Sequence, residues 1–510
     1  MKKVFKKRAP STSYISPNQL TMDCFQTPFE QQLNPKNRWV VLSRLMPWDE
    51  VCNLYLKNVG VSPTGRPPLS PRVIIGSLII KHLCNLDDRE TVDQISENIY
   101  MQYFLGYSSF SSEPPFDASL FVDFRKRLGM ANLNAINERI VKLKTRLESK
   151  ENKSAPPFDG DEGNSGEPEN KGRVIFDATA CPQDIAYPTD LDLLSEAREK
   201  TEQLIDQLYI SGIHQNKPRT YRRIARKRYL QTAQKKNKSR KEIRKSVGSQ
   251  LRFLRRNLIS INRLLDAYQQ IPLKPKQHKY LLVVNTLYAQ QKQMYDSKTH
   301  SVEDRIVSIH QPHVRPIVRG KSQAKVEFGA KIHVSIIDGI SFLDELSWDA
   351  FNEGGHMMDY VEQYRKRFGC YPKELLADQI YCTRANRAAL KEKGIKLLAK
   401  PLGRPSAVPI HVSPGERNPI EGKFGQAKTG YGLNRIKARL KLTSESWIAC
   451  IFLVLNLVKL AGAALPCLIV RSILSFSAKG IFDRLGQNAD QMIFYRQTLN
   501  PYPIKLKIAV

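Results

Sequence analysis

Val174-Ile175-Phe176-Asp177 and, far downstream, Leu375-Leu376-Ala377-Asp378 share one construction: a short apolar run closed by an aspartate. Runs of this length, bounded by polar or turn-forming residues, read as buried strands with a carboxylate at the exit. Other patterns fill the space between them. Gly329 to Ile337 alternates in part, Asp338-Gly339 is a hairpin turn signal, and Ile340 to Leu346 reads as the returning strand. A helix around His356–Phe368 precedes the Asp378 strand. Arg384 to Lys393 follows, capped by Thr383 and stopped by Gly394, and Ile395 to Leu398 is a last short strand. The order is strand, insertion, strand, strand, helix, strand, helix, strand, helices. It places the chain in the α/β class, with a mixed sheet.

The insertion, from about Asp192 to Gln270, is helical and strongly charged. Between Asn216 and Arg256 it carries seventeen Lys or Arg against one acid, Glu242. A solvent face held by salt bridges would mix signs, so the run holding Arg222, Arg223, Arg226, Lys227 and Arg228 reads as an arm for nucleic acid. Leu251, Leu254, Leu258, Ile261 and Leu265 recur at helical steps, which predicts a packed helical hairpin in its second half.

Upstream of the first strand, Ser149 to Gly172 is rich in Pro, Gly, Asn and acids and has little to bury: a flexible linker. Before it the pattern is helical. Arg72 to Leu83 follows Pro71, then come Asp88 to Asn98 and Tyr100 to Leu105. Asp117 to Leu128 has Asp117 as N-cap and Gly129 as stop. The basic last turn, Arg125-Lys126-Arg127, fits a helix-turn-helix-like DNA-binding module, and fits equally well cations that offset the helix dipole. The expected organisation is a loosely ordered 1–36, a helical domain at 37–148, a linker at 149–172, an α/β domain at 173–465 and a tail at 466–510. The apolar stretch Trp447 to Leu465 carries Asn456 and Lys459 and stops at Pro466. It reads as a helix buried on nearly all sides rather than a membrane span.

Composition narrows the partner. Among 510 residues, 80 Lys and Arg face 49 Asp and Glu, a net charge of +31 that calls for a polyanion: DNA or an anionic membrane surface. The basic run lacks interleaved bulky apolar anchors, which weighs against a membrane. Eight cysteines are scattered without a C-x-x-C pair, as in a reducing, cytoplasmic compartment. His310 and His313 have no nearby cysteine or second pair to complete a zinc site. The basic Met1–Arg8 leads into Ala9-Pro10-Ser11 without an apolar core, so it does not read as a signal peptide.

Glu421, in Arg417-Asn418-Pro419-Ile420-Glu421-Gly422-Lys423, reads as the start of a helix. Two strand-borne aspartates and a helix-borne glutamate converging on one point can hold two divalent cations. Such a pair suits an in-line phosphoryl transfer, with Mg2+ as the expected metal and Mn2+ as a substitute. Each acid also has a structural reading. Asp177 and Asp378 suit turns, Asp184, Asp190 and Asp192 rival Asp177, and Glu421 suits a capping box with Asn418 as N-cap. Lys428 lies two helical turns beyond Glu421, and Arg417 and Lys423 flank it, so all three are candidate backbone contacts for DNA. Gly422 and Gly425 either let nucleic acid approach or simply pack.

Several phrases carry a resemblance: Gly65-Arg66-Pro67-Pro68, Phe176-Asp177-Ala178-Thr179, Tyr187-Pro188-Thr189-Asp190, Arg315-Pro316-Ile317-Val318-Arg319-Gly320-Lys321, Glu327-Phe328-Gly329-Ala330-Lys331 and Leu376-Ala377-Asp378. With Arg417-x-x-x-Glu421 and then Lys428, the chain resembles a DDE-type transposase of a bacterial insertion sequence over roughly 37–465. The family's signature tyrosine falls on Pro414 here, so that element is missing. The resemblance implies an RNase H-like catalytic core with a helical basic insertion, preceded by an all-α DNA-binding domain. It makes Asp177, Asp378 and Glu421 the metal-binding catalytic triad. The implied reaction is strand cleavage by activated water, then attack of the freed 3′-hydroxyl on target DNA. It further implies recognition of terminal inverted repeats in double-stranded DNA, a homodimer or higher oligomer on that DNA, and a place in the bacterial cytoplasm. A nuclease of the same fold that never joins strands, or an inactive DNA-binding protein, would share much of this sequence.

Overall fold

Six strands make one mixed sheet: β1 (Arg173–Pro182), β2 (Arg315–Val318), β3 (Val326–Ile337), β4 (Ile340–Ser347), β5 (Glu374–Leu376) and β6 (Lys396–Leu398). The computed structural model describes residues 33–58, 69–151, 169–318, 326–399 and 414–462. The expected N-terminal segment and tail, most of the 149–172 linker and the Gly65–Pro68 phrase lie outside these residues. β3 runs antiparallel to β1 on one side and to β4 and β2 on the other, while β1, β5 and β6 are parallel. Val174, Ile175 and Phe176 are all buried, since β1 sits inside the sheet with both faces covered. Asp338 and Gly339 both take positive φ at the β3–β4 turn, as a tight hairpin requires.

Helices α1 (Arg38–Leu45), α2 (Trp48–Asn58), α3 (Pro71–Cys84), α4 (Asp88–Glu97), α5 (Ile99–Leu105) and α6 (Leu120–Glu151) precede the sheet. Pro71 occupies the first position of α3, and Asp87 with Glu90 forms a capping box on α4. Gly129 breaks α6 as expected (φ 64°, ψ 166°), but the chain re-enters a helix and continues to Glu151, into the segment expected to open the linker.

Four helices fill the insertion: α7 (Asp190–Leu208), α8 (Arg222–Ala233), α9 (Arg240–Asp266) and α10 (Pro275–Ser297). They share an apolar core that includes Leu194, Leu254, Leu258, Ile261, Val284 and Leu287. The insertion therefore runs well past the expected Gln270, because α10 is needed to cover α9. Its own apolar residues, Leu281, Val284, Leu287 and Met294, come at helical steps of three, three and seven.

After β4 come α11 (Met357–Phe368), α12 (Arg384–Glu392), α13 (Asn418–Gly430) and α14 (Lys441–Ala461). Among the described residues α14 is the one helix long and apolar enough to cross a membrane, and it is instead largely buried, as its sequence suggested. The chain through Leu457 forms one compact unit, and a second begins at Val458, of which the end of α14 (458–461) and Gly462 are described.

Within the first unit the N-terminal helices share a core with α14 and the sheet. Asn456 of α14 accepts from the Ser341 N–H at 2.9 Å, and its Nδ2 donates to the Ser341 carbonyl at 2.7 Å and to Asn137 Oδ1 of α6 at 2.9 Å. Trp447 lies beneath the Lys81 ammonium (4.7 Å) and the Arg125 guanidinium (5.5 Å). Arg125 forks onto Asp88 at 2.9 and 2.8 Å and is almost wholly buried. It is thus a packing cation rather than one of the expected DNA contacts, because a buried guanidinium needs its carboxylate inside the protein.

A second buried ion pair ties the sheet to its helices. Asp344 on β4 meets His333 Nδ1 of β3 at 3.1 Å and Arg367 of α11 at 2.5 Å, and Arg367 reaches on to Glu138 of α6 at 2.8 Å. Burial alone would raise the Asp344 carboxyl, but the His333 hydrogen bond and the Arg367 charge outweigh it and hold it below the ordinary range. A depressed carboxylate stabilises the fold above the ordinary aspartate range and loses that contribution as pH falls through its folded value. Asp344→Asn should therefore cost about 1–3 kcal/mol, the penalty of weakening a buried hydrogen-bonded partner while Arg367 keeps Glu138. It should also remove part of the acid sensitivity of unfolding. Urea melts at neutral and acid pH check this, and a neutral substitution without loss would remove the network from the core.

Candidate active site

β1 continues past its neighbour. Its parallel ladder with β5 ends at Ile175, opposite Leu376, and Asp177 follows two residues later, still paired to Val334 of β3. Asp177 is therefore inside β1 and not at its exit. What ends beside it is β5, and that opens one edge of the strand. Asp378 follows Leu376 by two residues and caps a single 3-10 turn, Gln379–Tyr381, its Oδ1 accepting from the Gln379 N–H at 2.7 Å. Parallel strands thus bring both aspartates to the same end of the sheet.

That turn is anchored by residues whose sequence context did not single them out. Tyr381 is fully buried, and Asn386 of α12 donates from Nδ2 to the carbonyls of Tyr381 (2.9 Å) and Gly354 (2.7 Å). At Gly354 any Cβ would stand 2.3 Å from the Ile380 carbonyl oxygen, so only glycine lets the loop close on the turn. Phe176, His333 and Tyr360 form the wall behind it, the last two stacked at 3.5 Å. The signal for Asn386 was present only as a polar residue one turn into a helix, which is common and unspecific.

One guanidinium joins the aspartates. Arg417 Nη2 lies 3.3 Å from Asp177 Oδ2, and its Nη1 lies 3.2 Å from Asp378 Oδ1. Burial raises the Asp177 carboxyl. The Ala178 N–H and the Arg417 charge oppose that rise, and the nearby charges of Asp378 and Glu421 add to it. All three acids therefore feel one another at Asp177. Among the described residues, however, no group of three or more His, Cys, Asp or Glu side chains is arranged to hold a metal. Bare carboxylates repel, and here Arg417 takes the place between two of them while Glu421 stays exposed.

The rival readings resolve residue by residue. Asp184 pairs with Arg435 (2.9 Å), Asp190 with Arg305 (2.7 Å), and Asp192 accepts from the Tyr229 hydroxyl (2.8 Å), so each serves a loop or the insertion. Glu416, the neighbouring acid, is tied to Arg173. The capping box expected of Glu421 is not formed: α13 begins at Asn418 with Arg417 as N-cap and no side-chain cap. Ile420, Phe424 and Ala427 form its buried face. A Cβ at Gly422 or Gly425 would meet nothing within 4 Å, so packing does not require these glycines.

The expected cations divide. Lys423 and Lys428 are half-buried on α13, each already engaged within the chain. Lys126 and Arg127 are exposed at the break in α6. On α8, Arg222 is shared with Asp206 (2.8 Å) and Arg228 reaches Ser249 (3.3 Å), whereas Arg223, Arg226 and Lys227 line an open surface groove.

Comparison with known proteins adds two family matches. Residues 27–127 match a model described as Transposase domain (DUF772), and residues 375–458 match one described as Transposase DDE domain. The first spans α1 to the basic turn of α6, and the second spans Asp378, Arg417, Glu421 and Lys428. The insertion falls in neither. An uncharacterized protein ORF8 in the nfe locus of Rhizobium meliloti is 30% identical over 178 residues, which cover 34% of this chain and 76% of that protein. No solved structure matches.

A raised carboxyl carries its own stability signature. The fold holds the Asp177 proton more tightly than the unfolded chain does, so stability falls as pH rises from the ordinary aspartate range through the raised folded value. At neutral pH the charge is a net cost, and Asp177→Asn should leave the unfolding free energy unchanged or raise it by up to about 1 kcal/mol. That is opposite to Asp344→Asn. A loss of more than about 1 kcal/mol in a urea melt would make Asp177 a structural acid.

Proposed function

The chain belongs to the DDE-type transposases of insertion sequences, and on that premise we propose that Asp177, Asp378 and Glu421 are its catalytic carboxylates. The observation that carries this reading is the pair of aspartates, one inside β1 and one just past β5, joined by a single arginine, with Glu421 on the helix that arginine begins. The family implies a divalent-metal requirement and DNA as the substrate. The donors fit: carboxylate oxygens suit hard cations, and the half-buried Asp177 carboxyl is held above its ordinary range, so a cation there would relieve it. Magnesium or manganese held by the three acids would supply the charge that activates water and stabilises the leaving 3′-oxygen.

The residues of the chain do the remaining work. β1 and the clamped turn after β5 fix the aspartates, so that little reorganisation is needed when DNA arrives. Arg417, Lys423 and Lys428 supply cations along α13 for the backbone beside the cut. Gly422 and Gly425 leave the exposed side of that helix low, which favours close approach. The proposed reaction is cleavage at the element's ends and transfer of the freed 3′-hydroxyl to target DNA, by a homodimer or higher oligomer. The N-terminal helices, through Lys126 and Arg127, and the α8 surface would hold the terminal repeats and flanking duplex.

Glu421→Gln and Asp378→Asn should each abolish nicking and strand transfer in magnesium while leaving unfolding and DNA binding intact. With no capping box to preserve, the loss in Glu421→Gln reports the charge alone. Wild-type cleavage by Glu421→Gln would remove that residue from the site. Nicking by the wild type without strand transfer would favour a nuclease.

The α8 surface is tested through salt. Arg223, Arg226 and Lys227 changed together to Gln should weaken binding to all duplexes alike. The log–log salt slope should flatten by roughly 0.9 for each phosphate that is no longer neutralised. An unchanged slope would make α8 a solvated face.

A further inference from the structure

We propose that Arg417 is a resident cation that couples metal loading to DNA docking. It holds the aspartate pair in the free protein and leaves it for a backbone phosphate when DNA arrives. The inference rests on the assignment of Asp177 and Asp378 as metal ligands. Three observations carry it. The guanidinium bridges both acids at once, with Nη1 and Nη2 each turned to a different carboxylate. Both distances, 3.2 and 3.3 Å, exceed the roughly 2.7–2.9 Å of strong charge-assisted pairs, so the bridge is loose enough to be displaced. Arg417 Nε is buried without a partner, so this pose leaves part of the donor fork unused. A phosphate accepts such a fork bidentately, which gives the side chain a better partner than the one it has.

The coupling follows from exclusion. A guanidinium and a divalent cation cannot share the same carboxylate oxygens at close range, so the bridge and the metal compete. DNA that draws Arg417 away removes the competitor and tightens metal binding, and by reciprocity the metal tightens DNA binding. Arg417 sits at the N-cap of α13, four residues before Glu421, so its departure frees the pair beside the third acid. The free protein would then be poorly loaded with metal until its substrate is in place.

The test reads metal binding rather than turnover. The free Mn2+ signal is followed by electron paramagnetic resonance as the ion is titrated into the full chain, with and without a duplex taken from the DNA flanking its own coding region. Binding to the duplex itself is subtracted using the Asp177→Asn, Asp378→Asn double variant with the same DNA. Wild type should bind Mn2+ about tenfold more tightly with duplex than without, within the usual range of coupling between sites. Arg417→Gln should bind it tightly in both conditions, so the coupling disappears. Arg417→Lys keeps the charge but not the planar fork, so it should show intermediate coupling, and it replaces the Gln variant if that fails to fold. Unchanged or weaker metal affinity of Arg417→Gln without DNA would overturn the proposal. If Arg417→Gln combined with Asp177→Asn and Asp378→Asn still binds Mn2+ without DNA as Arg417→Gln alone does, the acid assignment fails instead, whatever Arg417 does.

Discussion

Two like charges have to be kept together at the edge of a sheet, one of them largely out of water. Asp177 and Asp378 repel each other, and Asp177 also bears the cost of burial, so left alone the pair would push apart or take up protons. The fold answers with rigidity and one shared cation. The parallel ladder of β1 and β5 sets the spacing of the backbones. The clamp of Asn386, Gly354 and Tyr381 prevents the turn after β5 from relaxing. Arg417 supplies the opposing side-chain charge that acts on Asp177. Removing any one of these would loosen the geometry that a phosphoryl transfer needs.

The same economy of charge separates working acids from structural ones across the chain. Asp88, Asp190 and Asp344 each have at least one cation close by, and Arg125, which holds Asp88, is deeply buried. Asp177 and Asp378 must share one. A carboxylate with a dedicated partner stabilises its element, while a carboxylate left short of positive charge is held by the fold at a cost, as functional sites commonly are.

Much of this was legible in the sequence because local patterns decided it. The apolar runs before Asp177 and Asp378, the Asp338-Gly339 turn, the Thr383 cap and the Gly394 stop each act within a few residues, and the strand order follows from them. The parts that were not legible depend on distant partners. Asp177 looked terminal because its apolar run ends there, yet β3 carries the strand five residues further. Arg125 looked like a surface cation because its partners, Asp88 and Trp447, are far off in the chain. Helix α10 was missed although Leu281, Val284, Leu287 and Met294 come at helical steps, because these few apolar residues are spread along a largely polar stretch.

Arg417 shows most clearly what spacing alone cannot give. In the sequence it stands four residues before Glu421, a step that puts two side chains on one helical face and suggests a cation flanking the acid. In the fold it is the N-cap, and its side chain crosses to Asp177 inside β1, more than two hundred positions upstream, and to Asp378 just past β5, about forty upstream. The helix start thus acts twice, presenting Glu421 from its first turn and neutralising the other two acids from its cap. A substitution there would disturb three carboxylates together. Roles on the two sides of the helix start are therefore expected to differ in kind, and that distinction comes from the third dimension alone.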